Sequence, residues 1–488
     1  MTEETAQGRL ATAIDPLVAE HDGDSGVIPL VDSREAFAAR VLLARQAEYR
    51  LDIQYYIWRQ DITGTLLFEA LHEAAERGVK VRLLLDDHNT AGLDATLIGL
   101  HQHQNIEVRL FNPLKLRRPR FLNYIFDFRR VNRRMHNKSF VVDGRVVISG
   151  GRNIGDEYFG ATSDVLFTDL DALLIGPVVA DVENDFQRYW DCESSVPLER
   201  LFTLTKPRDL SVLRTIAERY EQDPRAQAFM KAIEELPFMQ ELQRQQLDIY
   251  WTPTQLVSDS PAKALGRAKP QQMVAHQLQQ AIGTPQSHVT LVSPYFVPTQ
   301  AGVNELIAMA DRGVDIVILT NSLAATDVAI VHAGYAKWRR QLLQHGIQLF
   351  ELQRLSPLAR REQRKERRQR LKGKERFGSS ASSLHAKTLM VDLDRVFVGS
   401  LNFDPRSAAI NTELGFVMHS TELAERIDEA ITETLPHYAY QLKLVKNKVV
   451  WVERLGKQRT CYSSEPGASI WRRLAVRILE RLPIERLL

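Results

Sequence analysis

The chain has 488 residues, of which 44% are hydrophobic and 25% are charged. This composition excludes a mostly disordered protein and leaves apolar material for at least two cores. The formal net charge of +2 excludes a polycation built to coat nucleic acid, and two cysteines are too few for a disulfide framework or a four-ligand zinc site. No apolar run reaches the roughly 18–20 residues that span a bilayer.

The N-terminal segment 1–25 lacks the basic start and apolar core of a secretory signal. We therefore expect a flexible N-terminal segment and a cytoplasmic protein. Beyond it, we predict a first domain over 26–240, which ends in a polar helical extension. A second domain is predicted over 241–445, followed by a C-terminal extension over 446–488.

The domain prediction depends on an internal repeat. The sequence AERGVKVRLLL at 75–85 resembles ADRGVDIVIL at 310–319, and HNKSFVVD at 136–143 resembles HAKTLMVD at 385–392. The copies lie more than 200 residues apart, which is too long for a solenoid unit and indicates a duplicated domain.

Each copy begins with the same succession of elements. A strand-like run around Tyr56 or Tyr295 leads to an amphipathic helical stretch that ends at Gly78 or Gly313, and a second β-rich run follows at once. A glycine is the residue preferred just after a helix. The pattern predicts a βαβ unit in each copy and an α/β fold with a mixed sheet flanked by helices.

The motif His-x-Lys-x-x-x-x-Asp occurs once in each copy, and both copies lie in strand-like sequence. Residues i and i+2 of a strand share a face, so His136 lies on the side of Lys138, and His385 on the side of Lys387. A lone histidine in a strand is usually a packed or surface residue, but two matching copies favour a functional pair.

The two motif aspartates, Asp143 and Asp392, fall at the strand ends with the opposite parity. A role in stabilising the fold is as compatible with this position as a chemical one, and both stay in the candidate catalytic set. Asp143-Gly144 is a strong two-residue turn signal.

A two-residue turn at 143–144 predicts that residue 136 lies opposite residue 151. The small residues Gly150 and Gly151 then flank His136, while Gly399 and Ser400 flank His385. We expect these small residues to let a substrate approach the backbone closely.

Asn153 and Asn402 each follow their histidine by 17 residues and add an amide donor to each copy. Two ammonium groups and two amides suit an anionic phosphate, because all of them donate hydrogen bonds. Two histidines facing such a phosphate can divide the chemistry: one attacks phosphorus and the other protonates the leaving oxygen. No cluster at metal-ligand spacing accompanies them, and we expect no metal and no cofactor.

The paired motifs resemble those of the phospholipase D superfamily over most of the chain. Within it, GGRNIGDEYFG at 150–160 and GSLNFDPRS at 399–407 resemble the bacterial cardiolipin synthases, and the closing LPIERLL resembles the shorter subgroup without N-terminal membrane spans. This resemblance implies two tandem phospholipase D-like domains packed pseudo-symmetrically around one active site.

The resemblance also implies a ping-pong transfer through a phosphohistidine, with His136 as the nucleophile and His385 as acid and base. The symmetry of the motifs does not decide between the two histidines. The family orients each histidine through an acidic residue further along the same copy. That residue is Glu413 in the second copy and Asp169 in the first, where Asp171 is the alternative.

Two insertions carry basic residues near the predicted site. Residues 360–376 contain ten basic and three acidic residues, and residues 115–134 interleave basic residues with apolar ones such as Phe121, Ile125 and Phe126. Anionic lipid attracts such clusters, so we expect contact with an anionic membrane surface. A solvated loop and a nucleic-acid surface are the alternatives, and the near-neutral total charge disfavours the second.

The C-terminal stretch SIWRRLAVRILERLPIERLL is amphipathic. Trp471, Leu474 and Ile478 recur at helical spacing between arginines. Such a helix lies in a membrane interface or docks on the protein core, and the sequence leaves both open.

The predicted activity is that of a cardiolipin synthase, a phosphatidyltransferase that acts on phosphatidylglycerol with phosphatidylglycerol or phosphatidylethanolamine as donor. Hydrolysis to phosphatidic acid by a phospholipase D, a metal-independent nuclease and a non-catalytic lipid-binding protein are the alternatives. We expect a peripheral protein on the inner membrane with no nucleic-acid partner, and a helper protein remains open.

Overall fold

Two large mixed β-sheets, each drawn mainly from one half of the chain, form the framework of the protein. The computed structural model describes residues 8–161, 165–202, 215, 224–234, 248–354, 381–456 and 458–480. Within these residues, no helix is long and apolar enough to cross a membrane.

The described residues of the first half of the chain form ten strands. They are β1 Ser25–Leu30, β2 Arg50–Tyr55, β3 Lys80–Asp86, β4 Ile106–Phe111, β5 Ser139–Val142, β6 Val146–Gly150, β7 Val165–Thr168, β8 Asp171–Ile175, β9 Ser195–Pro197 and β10 Tyr250–Thr252. All but β7 form the first sheet, in the order β10-β1-β8-β6-β5-β2-β3-β4-β9.

The second half supplies the remaining strands described. They are β11 Thr254–Ser258, β12 His288–Val292, β13 Asp315–Asn321, β14 Gln348–Leu352, β15 Ala381–Leu384, β16 Thr388–Val391, β17 Arg395–Gly399, β18 Leu414–His419, β19 Ala439–Val445, β20 Lys448–Leu455 and β21 Gln458–Tyr462. The second sheet has the order β11-β18-β17-β16-β12-β13-β14-β19-β20-β21. Its central strands, in the order β18-β17-β16-β12-β13-β14, correspond to β8-β6-β5-β2-β3-β4 of the first sheet. The two halves therefore share a strand order, as expected for a duplicated domain.

Helices pack on both faces of the sheets. They are α1 Arg9–Ala19, α2 Ser33–Gln46, α3 Ile62–Glu76, α4 Asp94–His101, α5 Leu122–Phe126, α6 Phe128–Val131, α7 Asp156–Phe159, α8 Val178–Trp190, α9 Pro224–Glu234, α10 Val274–Ile282, α11 Gln300–Asp311, α12 Ala329–Ala336, α13 Arg339–Gln344, α14 Pro405–Ala409, α15 Thr421–Tyr438 and α16 Ile470–Leu479. Residues of α8 and α15 belong to the buried cluster between the sheets.

The predicted βαβ units are present in both halves. Strands β2 and β3 are parallel across α3, and β12 and β13 are parallel across α11. Asp61 and Thr299 cap the two helices by accepting a backbone N–H, as short polar side chains do at helix starts. Gly78 and Gly313 follow the helices with φ of 100° and 93°, where a residue without Cβ is not strained.

The two sheets pack against each other through an inner apolar layer that mixes both halves. Val141, Val147 and Leu174 of the first sheet belong to one buried cluster with Met390 and Phe416 of the second. Removing this surface from water is the main favourable contribution to joining the halves. The arrangement brings corresponding ends of the two sheets together, which positions the predicted site.

The domain limits differ from the prediction. The chain passes from the first sheet to the second at Pro253, between β10 and β11, and not near residue 240. Strands β20 and β21 extend the second sheet beyond residue 445, so the C-terminal extension begins with part of that sheet. Both differences arise because edge strands lack the repeat signal on which the limits were based.

The prediction of a flexible segment over 1–25 is wrong for residues 9–19, which form helix α1. Ala11 is buried, and Leu10 and Ile14 pack on the first core. The Arg9 side chain adds an ion pair to Glu48 at 3.1 Å. These contacts order a segment that carries no signal of its own in the sequence pattern.

The first motif hairpin has the predicted turn but another register. Asp143 and Gly144 have φ of 49° and 64°, and Arg145 N–H donates to the Val142 carbonyl at 3.0 Å. Val142 nevertheless pairs with Val146 and not with Arg145. One extra residue after the turn forms a bulge, which shifts the ladder by one position.

The second hairpin has the same shift, with Val391 paired to Arg395. The prediction that Gly151 lies opposite His136 and Ser400 opposite His385 is therefore wrong by one residue. A one-residue shift exchanges the faces of a strand, so these small residues take other roles, described below.

Candidate active site

The two motif histidines line one cavity at the junction of the two halves. His136 directly precedes the strand region of β5, and His385 precedes that of β16. The cavity has a volume of about 280 Å³ and is also lined by the predicted amides Asn153 and Asn402. Residues that lie far apart in the sequence are thus brought to a single site.

Backbone pairing between the halves fixes each histidine. Met135 and Thr412 form a parallel bridge, and the His136 N–H donates to the Thr412 carbonyl at 2.8 Å. In the other copy β15 runs parallel to β7, and the His385 N–H donates to the Thr168 carbonyl at 2.8 Å. An acid follows each of these threonines in the sequence, Glu413 after Thr412 and Asp169 after Thr168. The pairing therefore places one acid next to each histidine.

Each histidine is bound by the acid of the opposite half. His136 Nδ1 lies 2.7 Å from Glu413 Oε2, and His385 Nδ1 lies 2.6 Å from Asp169 Oδ2. Both acids were predicted, but the assignment of each to the histidine of its own copy is wrong. The alternative Asp171 contacts no motif histidine and instead binds Arg40 at 2.7 Å.

The two acids are themselves held in place. Ser400 Oγ and Ser407 Oγ donate to Glu413 at 2.6 Å and 2.7 Å. Asp169 lies against Gly151, where an added Cβ would come within 2.0 Å of its Oδ1. The small residues beside the motifs are therefore needed for the close approach of the acid segments, and not, as predicted, for that of a substrate.

The protonation of the histidines follows from their burial. Burial lowers the pKa of His136 to about 4, although Glu413 opposes the shift, and it lowers the pKa of His385 in the same direction. Burial would raise the pKa of Asp169 and of Glu413, but the adjacent histidine lowers both overall. At neutral pH the acids are ionised and accept the Nδ1 proton, which leaves the Nε2 lone pair of His136 available. The Nε2 of His385 lies 3.4 Å from Lys387 Nζ.

The two motif lysines are buried next to the histidines and are not among the residues that line the cavity. Lys138 Nζ donates to the His136 carbonyl at 2.6 Å, and Lys387 Nζ donates to the His385 carbonyl. Burial lowers the pKa of Lys138 to about 7 and also lowers that of Lys387. Among the described residues, no carboxylate lies within ion-pair distance of either ammonium. Buried cations without a counter-ion create an environment that favours an anion.

The two amide side chains differ in the hydrogen bonds that they already make within the protein. Asn153 accepts from the Ile57 N–H at 3.1 Å and donates to the Tyr158 hydroxyl at 3.1 Å. The Asn402 Oδ1 is buried and has no hydrogen-bond partner among the described residues. Asn402 is therefore less committed to hydrogen bonds within the protein than Asn153.

Several residues of the cavity were not predicted as site residues. The Tyr56 ring lies edge-on to His136 at 4.9 Å, and Tyr158 lies edge-on to His385 at 5.2 Å. Tyr295, which matches Tyr56 in the repeat, also lines the cavity, as do Arg406 and Asn411. The matching of Tyr56 with Tyr295 was the available signal, since both follow the first strand of their repeat.

The motif aspartates belong to the fold and not to the cavity, which corrects their grouping with the catalytic residues. Asp143 accepts three backbone N–H groups, from Glu48, Tyr49 and Arg50, at 2.7–2.8 Å. Asp392 likewise accepts the backbone N–H groups that precede β12. At about 3.3 Å per residue, the turn lies roughly 20 Å from the histidine.

A possible metal-ligating cluster lies elsewhere, where His72, Glu76 and His103 meet. His103 Nδ1 accepts the Asn105 N–H at 3.1 Å, so Nε2 carries the ring proton and donates to Glu76 at 2.9 Å. That ring offers no lone pair towards the cluster.

Comparison with known proteins follows the same two regions. The family model "Cardiolipin synthase, PLD-like domain" matches residues 42–190 and 278–435. The chain belongs to the cardiolipin synthase family of phospholipase D-like proteins. The two matched regions each contain one histidine motif and one acid of the crossed pairs, so the family assignment covers the whole site.

Relatives of the cardiolipin synthase family match the chain over most of its length. Cardiolipin synthase C of Escherichia coli (strain K12) is 47% identical over 481 residues, 98% of this chain and 100% of the relative. Cardiolipin synthase A of Pseudomonas syringae pv. syringae is 24% identical over 83% of this chain and 67% of the relative. These findings confirm the predicted family and enzyme class, a phosphatidyltransferase.

The fold is shared with a solved member of the same architecture. The crystal structure of phosphatidylserine synthase from Haemophilus influenzae Rd KW20 covers 97% of this chain and 98% of its own, with a TM-score of 0.59 and 13% identity. The prediction of two phospholipase D-like α/β domains around one site is confirmed.

Proposed function

We propose that the protein synthesises cardiolipin by transferring a phosphatidyl group to phosphatidylglycerol through a phosphohistidine. The donor is phosphatidylglycerol or phosphatidylethanolamine. The observation that carries the proposal is the pair of histidines at one cavity, each with its Nδ1 on a buried carboxylate and each beside a buried lysine. This arrangement supplies a nucleophile, an acid and base, and positive charge to one phosphodiester.

In the first step, Nε2 of His136 attacks the donor phosphorus. The P–O bond to the headgroup breaks, and His385 gives its proton to the departing alkoxide. We assign His136 as the nucleophile, because its burial and its pKa of about 4 keep Nε2 unprotonated at neutral pH. Glu413 then balances the positive charge that forms on the phosphorylated ring.

His385 must be protonated for that step, although its pKa is lowered in the free protein. The anionic phosphodiester adds a negative charge to the cavity and favours the imidazolium form of His385. Asp169 holds the same ring on its other side.

In the second step, neutral His385 removes the proton from a phosphatidylglycerol hydroxyl. The hydroxyl oxygen attacks phosphorus, the P–N bond to His136 breaks, and cardiolipin leaves. Lys138 and Lys387 place positive charge near the phosphate from outside the cavity wall in both steps, and Asn402 adds an amide donor. Water in place of the lipid hydroxyl would give phosphatidic acid from the same intermediate.

Membrane contact is the second part of the proposal. Most arginines of the 115–134 insertion are bound to acids of the protein, as in the ion pairs of Arg117 and Arg120 to Asp94. They anchor the insertion and leave its apolar side chains exposed, with Phe126 at 77%. This supports apolar insertion into the lipid more than attraction through free basic residues. The predicted basic segment 360–376 lies outside the described residues.

The C-terminal helix α16 supports the same surface from the other half of the chain. Val476 is buried against α12, while Ile470, Trp471, Leu474 and Ile478 are exposed, with Trp471 at 79%. The helix thus docks on the core through one side and offers an apolar side with tryptophan, as interfacial helices do. Both alternatives left open by the sequence contribute.

The two apolar surfaces lie next to the cavity. The Tyr124 hydroxyl of α5 is bonded to His88, whose ring stacks on the cavity residue Tyr56. Arg472 of α16 donates to the carbonyl of Thr326, which adjoins the cavity residue Asp327. We propose that both surfaces face the inner membrane while the cavity draws its lipids from it.

The direct test gives the purified protein phosphatidylglycerol vesicles, with and without phosphatidylethanolamine, in the presence of a chelator. Mass spectrometry of the lipids and the released headgroup then identifies the reaction. Cardiolipin with free glycerol or ethanolamine is expected and names the donor. Phosphatidic acid alone would contradict synthesis and indicate a hydrolase, and cleavage of DNA instead of lipid would indicate a nuclease.

A further inference from the structure

A second cavity, larger and mostly apolar, adjoins the catalytic one. It has a volume of about 350 Å³, within the range of pockets that hold small molecules. Its walls come from α10, α11 and the segment 401–408, and its floor comes from β12, β16 and β17. We call it the Phe403 groove, defined by Leu278, Ile282, Leu291, Leu389, Phe397 and Phe403.

The groove borders the catalytic cavity. Asn402 and Asp404 line both of them. Asn402 is also the amide whose Oδ1 has no partner among the described residues. The groove therefore lies next to the site at which a phosphate would sit between the two histidines.

The chemistry of the groove fits hydrocarbon. Leu291, Leu389 and Phe397 form an apolar floor, and the Phe403 ring is 37% exposed at the rim. Apolar surface gathered in one concave site is unfavourable in water and marks a place where an apolar group binds. Few polar groups line it, so a headgroup would lose its hydrogen bonds there.

We infer that the Phe403 groove holds one acyl chain of the phospholipid whose phosphate occupies the catalytic cavity. The inference rests on the proposed function and adds a subsite that selects substrates by chain length. A lipid chain is the expected occupant because the groove is apolar and borders the phosphate site at Asn402 and Asp404, whereas the insertion at 115–134 and helix α16 provide the exposed membrane surfaces.

Gly302 of α11 gives a clean way to fill the groove. It lies in a helix, and a Cβ added there would lie 3.7 Å from the Phe403 ring and 3.7 Å from Pro298, which is ordinary contact. Gly302→Leu therefore adds side-chain volume without backbone strain. The matched control is Ala301→Leu, which introduces the same leucine one position earlier, where the helix is exposed. Ala275→Leu narrows the groove from α10.

The test compares kcat/KM for monomeric dihexanoyl and dioctanoyl phosphatidylglycerol. Each methylene that the groove buries should raise kcat/KM about four-fold. The two additional methylenes of one dioctanoyl chain should therefore raise the wild-type kcat/KM roughly 15-fold over that of the dihexanoyl lipid. We expect this gain to fall below about three-fold in Gly302→Leu and Ala275→Leu and to persist in Ala301→Leu. Thermal melting shows that each variant is folded.

Two results separate failure of the groove from failure of the function. If both groove variants are active and keep the wild-type gain with chain length, the acyl subsite is wrong while the proposed function stands. If the wild type turns over neither lipid, the proposed function is wrong, and the acyl subsite falls with it.

Discussion

His136 and Glu413 come from opposite halves of the chain, 277 residues apart, yet His136 Nδ1 and Glu413 Oε2 lie 2.7 Å apart. The second pair, His385 with Asp169, crosses in the other direction at 2.6 Å. Neither half therefore contains a complete histidine and acid unit. The duplication produced two motifs whose working pairs exist only when the halves are packed together.

The crossed pairs predict the outcome of replacing each acid by its amide. Glu413→Gln should lower kcat by roughly 10²–10⁴-fold, because the amide neither fixes the Nδ1 proton nor balances the charge on phosphorylated His136. The KM should change little, since Glu413 lies behind the ring. Glu413→Asp should recover part of the activity, and steady-state kinetics on short-chain lipids measures both constants.

Asp171→Asn is the control for this experiment. Asp171 is a buried acid close to Asp169 in sequence, but it binds Arg40 and contacts no motif histidine. We expect a lower melting temperature and a nearly unchanged kcat in the folded fraction. An equal loss of kcat in Asp171→Asn and Glu413→Gln would contradict the assignment of the acids.

The lysines predict a pH dependence. The pKa of Lys138 is lowered to about 7, mainly by burial, so in the free protein its charge is lost as the pH rises through that value. Because the charge attracts the phosphodiester, kcat/KM should fall above about pH 7. Lys138→Arg keeps its charge throughout this range, and in that variant the fall near pH 7 should disappear at whatever activity remains. An unchanged fall would assign it to another group.

The motif aspartates predict an effect on stability without an effect on chemistry. Asp143→Ala removes the acceptor of three backbone N–H groups and should lower the free energy of unfolding by about 2–4 kcal/mol. The kcat of the folded protein should stay within about two-fold. Urea unfolding and kinetics on the same preparation measure both quantities. Loss of kcat at unchanged stability would restore Asp143 to the catalytic set.

For Asp392, the corresponding prediction concerns stability at acidic pH. Backbone N–H groups at Gln286, Ser287 and His288 lower its pKa to about 2 against the opposing effect of burial. Its contribution to stability is therefore present above the unfolded pKa of about 4 and is lost as the pH falls through about 2. The difference in melting temperature between the wild type and Asp392→Asn should shrink between those pH values.

The C-terminal helix predicts opposite effects for two neighbouring positions. Trp471→Ala should weaken binding to phosphatidylglycerol vesicles about ten-fold or more and leave the melting temperature unchanged, because the indole is exposed in water. Val476→Ala should lower the melting temperature, because that side chain is buried against α12. Cosedimentation and thermal melting test both, and the reverse pattern would contradict the membrane surface.

The sequence predicted the parts of the molecule that local patterns encode. Gly78 and Gly313 marked the ends of matching helices, and the strand pattern placed each histidine beside its lysine. The acids Asp169 and Glu413 were identified, but their crossing was not, because it depends on how two distant halves pack. The hairpin register failed for a different reason: a single bulged residue at Arg145 leaves no distinct sequence signal.

The central claim, that His136 is the nucleophile, is tested most directly with a phosphatidyl donor that carries p-nitrophenol as its leaving group. This group departs without a proton, so His385→Ala should release about one nitrophenolate per enzyme in a rapid burst and retain the phosphatidyl group. Mass spectrometry of the peptides, kept at alkaline pH, should find that group on His136, and His136→Ala should give no burst. A burst in His136→Ala with the adduct on His385 would contradict the account.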